Sequence, residues 1–212
     1  MKKTKINFKL LIFRILSLSV ALTGLIYRLL APLDGDKSLL HSLDMLGYFT
    51  IQTAVLVCLV FALLIIGQIK GKSNSAVKPG LRGAVLIYAI FTSLVFLIAL
   101  NKHMNITGFS RCVTYINHFL TALLLSIDNF LTLPPKSISW RTAHAWLIYP
   151  ILYFLFAIVE GHFFSRYRYF FFNYHERGFI PFLLFILLLT LAFHVVSYIL
   201  VMVNKHKKRY IE

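Results

Sequence analysis

The chain has 212 residues, of which 59% are hydrophobic and 14% charged, and its mean hydropathy is +0.78. A soluble domain of this length cannot hide so much apolar surface, so lipid must cover part of it. The formal charge of +15 raises nucleic acid as a partner, but the basic residues cluster between apolar runs, as membrane-flanking residues do, and the reading is that there is no nucleic-acid partner.

Six apolar runs follow in chain order. The first, 8–31, begins after Lys2, Lys3 and Lys5, as a signal peptide does. It is long and lacks a small-x-small cleavage site, so it reads as a retained helix. The runs 46–68 and 81–100 are separated by the polar turn 71–80, with Lys78-Pro79-Gly80 as a breaker. The run 111–133 ends at Pro134-Pro135. The runs 142–165 and 179–204 complete the set. Each holds about 20 residues or more, enough to cross a hydrocarbon core of about 30 Å as a helix. None shows the ten-residue alternation of a transmembrane strand. The expected fold is an all-α, polytopic membrane protein: a single transmembrane domain over 1–212, built as a bundle of six transmembrane helices. Cys58 and Cys112 have neither disulfide nor metal spacing.

Lysine and arginine set the expected orientation. Lys2, Lys3, Lys5, Lys9, Lys70, Lys72, Lys78, Arg82, Lys136, Arg141, Lys205, Lys207, Lys208 and Arg209 fall on one side, and Lys37, Lys102, Arg111, Arg166, Arg168 and Arg177 on the other. Fourteen against six puts both termini in the cytoplasm. An even number of helices also requires both termini on one side. Asp34-Gly35-Asp36 and Asp44 make the first outer loop acidic. Arg166, Arg168 and Arg177 read as headgroup anchors.

Polar residues inside the runs carry the functional information. Thr50 and Thr53 share a face, as do Thr114, His118 and Thr121, and Tyr149, Tyr153 and Glu160. Interhelical hydrogen bonding accounts for a lone threonine or tyrosine. His118 and Glu160 are different, because ionisable groups in a span face a partner or a cavity. At 1.5 Å per residue, Thr50, His118 and Glu160 each fall about 6–12 Å below the outer boundary, and His194 about 20 Å. A hydroxyl, an imidazole and a carboxylate at one depth suit acyl transfer: a hydroxyl needs a base to attack, and a carboxylate can orient that base. The alternative for Glu160 is a salt bridge, with Arg28 the expected partner. Asp128 lies about 15 Å along the axis from His118 and is expected to be structural, pairing with Lys136 or Arg141 or capping a helix end. Haem between His118 and His194 is disfavoured by their offset of about 10 Å.

Three stretches carry a resemblance. Gly47-Tyr48-Phe49-Thr50-Ile51-Gln52-Thr53 resembles the helix-two signature of bacterial Pr6Pr-type membrane proteins, relatives of the animal androgen-induced and androgen-dependent integral membrane proteins. Asn117-His118 with Asp128 ten residues later is a second match. Trp146-Leu147-Ile148-Tyr149-Pro150, then Tyr153, then Tyr167-Arg168-Tyr169-Phe170-Phe171-Phe172-Asn173 is a third. The resemblance implies six helices and, by analogy with the animal relatives, hydrolysis of fatty acid esters of hydroxy fatty acids by a membrane-embedded threonine and histidine, which fall on Thr50 and His118. The chain departs from the pattern at Thr53-Ala54, where Ser-Asn is usual, at Ala122, where proline is usual, and at Asn129, where tryptophan is usual. Glu160 stands at a position often basic.

The sequence thus leads to a multi-pass protein of a bacterial plasma membrane. Its partners are the lipid bilayer and a lipid ester substrate, with Thr50 as nucleophile, His118 as base and Glu160 as orienter or salt-bridge partner. No metal or organic cofactor is implied. The alternative is a non-enzymatic membrane protein that binds or moves a small lipophilic or anionic ligand.

Overall fold

The computed structural model describes residues 7–30, 39–72, 76–104, 107–134 and 136–206. Lys2, Lys3, Lys5, Lys37, Lys207, Lys208, Arg209 and the Asp34-Gly35-Asp36 turn lie outside the described residues.

The elements run in chain order as α1 (Phe8–Leu30), α2 (Leu39–Met45), α3 (Phe49–Ile69) and α4 (Pro79–Val95), which a π turn extends over Phe96–Leu100. Next come α5 (Gly108–Tyr115), a second π turn (Ile116–Leu120) and α6 (Thr121–Thr132). The chain then forms α7 (Trp140–Ala145), α8 (Ile148–Phe164), a 3-10 turn (Phe170–Phe172), α9 (Tyr174–Arg177) and α10 (Phe179–His206). Among the described residues five segments are long and apolar enough to cross a membrane: Phe8–Leu30, Phe49–Ile69, Pro79–Leu100, Trp140–Phe164 and Phe179–His206. The chain is an all-helical membrane protein. The remaining expected span, 111–133, is helical from Gly108 to Thr132, but its π turn divides it into three shorter pieces.

The helix starts follow local chemistry. Pro79 occupies the first turn of α4, where its missing N–H costs nothing. Ser139 caps α7 by accepting from the Thr142 amide at 3.1 Å. The expected helix from residue 46 begins instead at Phe49. Leu46, Gly47 and Tyr48 turn back onto the carbonyls of Leu43, Asp44 and Met45, and the short α2 precedes them.

Helix α1 packs on α3, and α3 on α4; α4 also meets α6 and α10. Phe61, Leu64 and Val57 of α3 sit in the interior with Ala21, Val85 and Leu125. Leu184, Leu187, Leu188 and Leu191 of α10 are exposed, which suits a lipid-facing helix. Polar glue joins one end of the bundle. Asp128 of α6 pairs with Arg14 Nε of α1 at 2.7 Å and with Arg82 Nη2 of α4 at 2.9 Å, and all three side chains are fully buried. Arg14 also donates to Gln68 Oε1 of α3 at 3.0 Å, and Arg82 donates to Asn129 Oδ1 at 2.9 Å and to Thr132 Oγ1 at 2.6 Å. Two sequence expectations change here. Arg82, counted with the cytoplasmic-side cations, is fully buried in the first turn of α4, and Asp128 pairs with Arg14 and Arg82 rather than with Lys136 or Arg141.

Candidate functional site

A cavity of about 200 Å³ lies between α3, α4, α8, α10 and the 3-10 turn. Its wall is largely aromatic and aliphatic, with Phe91, Phe154 and Phe193 facing Thr50, Tyr153 and Tyr169. Thr50 is the second residue of α3, where the first amides of a helix lack intrahelical acceptors. Its N–H donates to Tyr169 Oη at 3.4 Å, and its hydroxyl shares a hydrogen bond with the same oxygen at 3.3 Å.

Tyr169 is held there by its neighbour. Arg168 binds both oxygens of Glu160, with Nε to Oε2 at 2.6 Å. Its Nη1 donates to the Asp44 carbonyl at 2.9 Å and pairs with Asp44 Oδ1 at 2.8 Å. The guanidinium also lies 5.3 Å from the centre of the Tyr48 ring. Gly47 makes this approach possible: a Cβ there would stand 2.6 Å from Arg168 Nη2. Arg166 adds a second ion pair to Asp44. Burial alone would raise the Asp44 carboxyl, but Arg168 and Arg166 outweigh it and hold it below the ordinary range. Burial likewise opposes the charge on Arg168, and its two carboxylates overcome this and raise it.

Two of the three stretches singled out in the sequence therefore meet, and the one with Asn117, His118 and Asp128 does not join them. Phe49 stacks on Tyr149 at 5.2 Å, Tyr149 Oη donates to Gln52 Oε1 at 2.6 Å, and Tyr88 Oη donates to the Trp146 carbonyl at 2.9 Å. The segments 47–53, 146–153 and 167–173 form one end of the cavity.

His118 stands apart. It lies in the second π turn and its ring stacks on Phe96 at 4.3 Å. Its carbonyl accepts from Ser93 Oγ, and its buried Nδ1 has no hydrogen-bond partner. The cavity takes Phe91, Thr92 and Val95 from α4, whereas His118 packs on Ser93 and Phe96, the adjoining stripe of that helix. No hydrogen bond joins Thr50 to His118 among the described residues.

Glu160 is not the orienter of the imidazole, nor does it answer Arg28; Arg168 takes both of its oxygens because the loop after α8 folds back over that helix's last turns. Arg168, expected as a headgroup anchor, is 5% exposed and turned inward. His194 donates or accepts at the Thr190 carbonyl and its ring lies 6.1 Å from His144, so it does not face His118. Among the described residues no group of three or more metal-ligating side chains converges.

The roles of Tyr169 and Arg168 are the part that sequence reasoning missed. The usable signal was two acids, Asp44 and Glu160, near the same end of the chain's spans as an arginine between two tyrosines. Comparison with known protein families, with curated proteins and with solved structures finds no match.

Proposed function

We propose that this chain is an integral membrane hydrolase of lipid esters that draws an acyl chain into the cavity beside Thr50. The observation that carries the reading is a threonine hydroxyl on the wall of an otherwise apolar cavity, next to a tyrosine fixed by a buried arginine. The cavity suits a hydrocarbon chain, and Thr50 and Tyr169 are polar groups placed where an ester could stop. In the proposed reaction Thr50 Oγ attacks the ester carbonyl and passes its proton to His118. The alcohol departs with that proton, and water then releases the acid and restores Thr50. Because His118 is outside the cavity lining and stacked on Phe96, the transfer requires a water or a shift of that stack.

A fluorophosphonate probe on the purified protein tests the reading. Labelling of Thr50 is expected, with loss in Thr50→Ala and a strong decrease in His118→Ala. An unlabelled wild-type protein that still hydrolyses nothing would overturn it.

A second reading is a non-enzymatic protein that binds a lipophilic molecule in the same cavity. The missing hydrogen bond between Thr50 and His118 favours it. It predicts that a photoreactive fatty ester labels the cavity equally in wild type and Thr50→Ala.

The same proposal places six crossings in a bacterial plasma membrane with both termini in the cytoplasm, on the fourteen-to-six distribution of basic residues. Alkaline phosphatase fused after Glu212 should be inactive. A periplasmically active fusion would reverse the orientation.

A further inference from the structure

Arg28 is a buried cation that no carboxylate among the described residues answers. It lies in the last turn of α1, two residues before Leu30, and is 6% exposed. An arginine this close to a helix end usually extends to the headgroups with its charge exposed. Here the side chain turns into the protein instead. Its Nη2 donates to Thr114 Oγ1 and, at 3.3 Å, to the Ser110 carbonyl. Its Nη1 is buried without a hydrogen-bond partner.

The acids among the described residues are committed elsewhere. Glu160 and Asp44 serve Arg168 and Arg166. Asp128 serves Arg14 and Arg82 at the other end of the bundle. Glu176 sits on the exposed α9. A buried charge left in this state costs several kcal/mol, about the loss that follows removal of one partner from a buried pair.

The surroundings carry a second open group. Thr114 and Asn117 are three residues apart and share the helix face that meets α1. Asn117 Nδ2 donates to the Gly24 carbonyl at 3.1 Å, one turn before Arg28. Next to Asn117, and turned toward Phe96, His118 has a buried, unpartnered Nδ1. A π turn, a feature frequent at functional sites, sets this register. The first turn of α5 also holds the exposed Arg111, which adds positive charge next to Ser110, whose carbonyl Arg28 contacts.

We infer that Arg28, with Thr114 beside it, is a binding site for the oxyanion of an amphiphile, a carboxylate or phosphate headgroup that reaches it from the end of the bundle where α1 finishes. Arg28 Nη1 supplies the charge-assisted hydrogen bond. The site lies on the α1 side of α3 and α4, whereas the Thr50 cavity opens toward α8 and α10. It stands independently of the hydrolase reading.

The test is a ligand-dependent shift in melting temperature of the purified protein in neutral detergent. Dodecyl phosphate and laurate should each raise the melting temperature saturably, and dodecanol should not. In Arg28→Gln the apparent affinity should fall about tenfold or more, with Arg28→Lys in between. Thr50→Ala should bind as the wild type does, which separates this site from the cavity. Inorganic phosphate distinguishes the source: a shift by phosphate alone would assign the site to a free anion, not to an amphiphile, and overturn that part. A wild-type protein unmoved by both anionic amphiphiles would mean that water alone solvates Arg28, and would overturn the proposal even if Arg28→Gln fails to fold.

Discussion

Two ion-pair clusters occupy opposite ends of this bundle and are built from different parts of the chain. The Asp128 cluster draws Arg14, Gln68, Arg82 and Asp128 from four helices, α1, α3, α4 and α6, and its three charged side chains are wholly buried. The Arg168 cluster draws Asp44 from α2 and Arg166 and Arg168 from the loop after α8, with only Glu160 on a spanning helix. Its side chains keep between 5% and 53% of their exposure. The first cluster fixes helices to one another. The second fixes a loop to helices, and so decides where Tyr169 meets Thr50. Stability and site geometry are therefore held by separate groups, and substitutions should separate them.

The largest effect is expected at the Asp128 cluster. Asp128→Ala leaves two arginines facing each other without their shared carboxylate and should cost about 3–5 kcal/mol. Thermal unfolding in detergent, or the yield of folded protein, measures it. Asp128→Asn keeps a hydrogen-bond acceptor and should lose less. If both variants melt with the wild type, this cluster does not hold the helices.

The Arg168 cluster should respond more weakly and in a pH-dependent way. Arg168→Ala exposes two carboxylates to partial solvent and should cost about 1–3 kcal/mol. Asp44 lies below its ordinary value of 3.8 in the folded protein. A carboxylate depressed in this way adds stability that is complete above its unfolded value and is lost as the pH falls through the folded one. The wild type should therefore lose stability below about pH 4, and Arg168→Ala should show a flatter acid limb. Equal acid limbs in the two proteins would remove Asp44 from the cluster's energetics.

The sequence revealed these two clusters unequally. Apolar run length located the helices to within a few residues, because length in lipid is a strong constraint. It missed α2 and the turn at 46–48, since Leu46 and Met45 are as apolar as the helix they precede. Arg82 read as a flanking cation because it is the second residue of the apolar run 81–100. Hydropathy does not distinguish a basic residue flanking a span from one inside its first turn. Thr50 and Glu160 were legible as polar residues in apolar runs. Their partners were not, because Tyr169 and Arg168 come from a loop whose path over α8 no periodicity encodes. Depth along a helix gave Thr50, His118 and Glu160 one level, but not the face each side chain occupies. That is why Glu160 was matched with His118 and Arg28 when its partner is Arg168.

The smallest change, Tyr169→Phe, sharpens the comparison most. The phenol oxygen accepts the Thr50 N–H at 3.4 Å and shares a bond with the Thr50 hydroxyl at 3.3 Å. Both contacts are long, so their loss should cost only about 0.5–1 kcal/mol of stability. The ring still packs on Phe171 at 5.1 Å and on Tyr48 at 5.7 Å, which holds the loop in place without the hydroxyl. Whichever of the two hydroxyls donates, the contact restrains the rotamer of the Thr50 hydroxyl. Tyr169→Phe should therefore melt near the wild type and yet label with fluorophosphonate several-fold more slowly, short of the complete loss expected in Thr50→Ala. Arg168→Ala should reproduce the slower labelling with a larger loss of stability, because it releases the loop that carries Tyr169. Labelling in Tyr169→Phe at the wild-type rate would show that the Arg168 cluster holds the loop without setting the reactivity of Thr50.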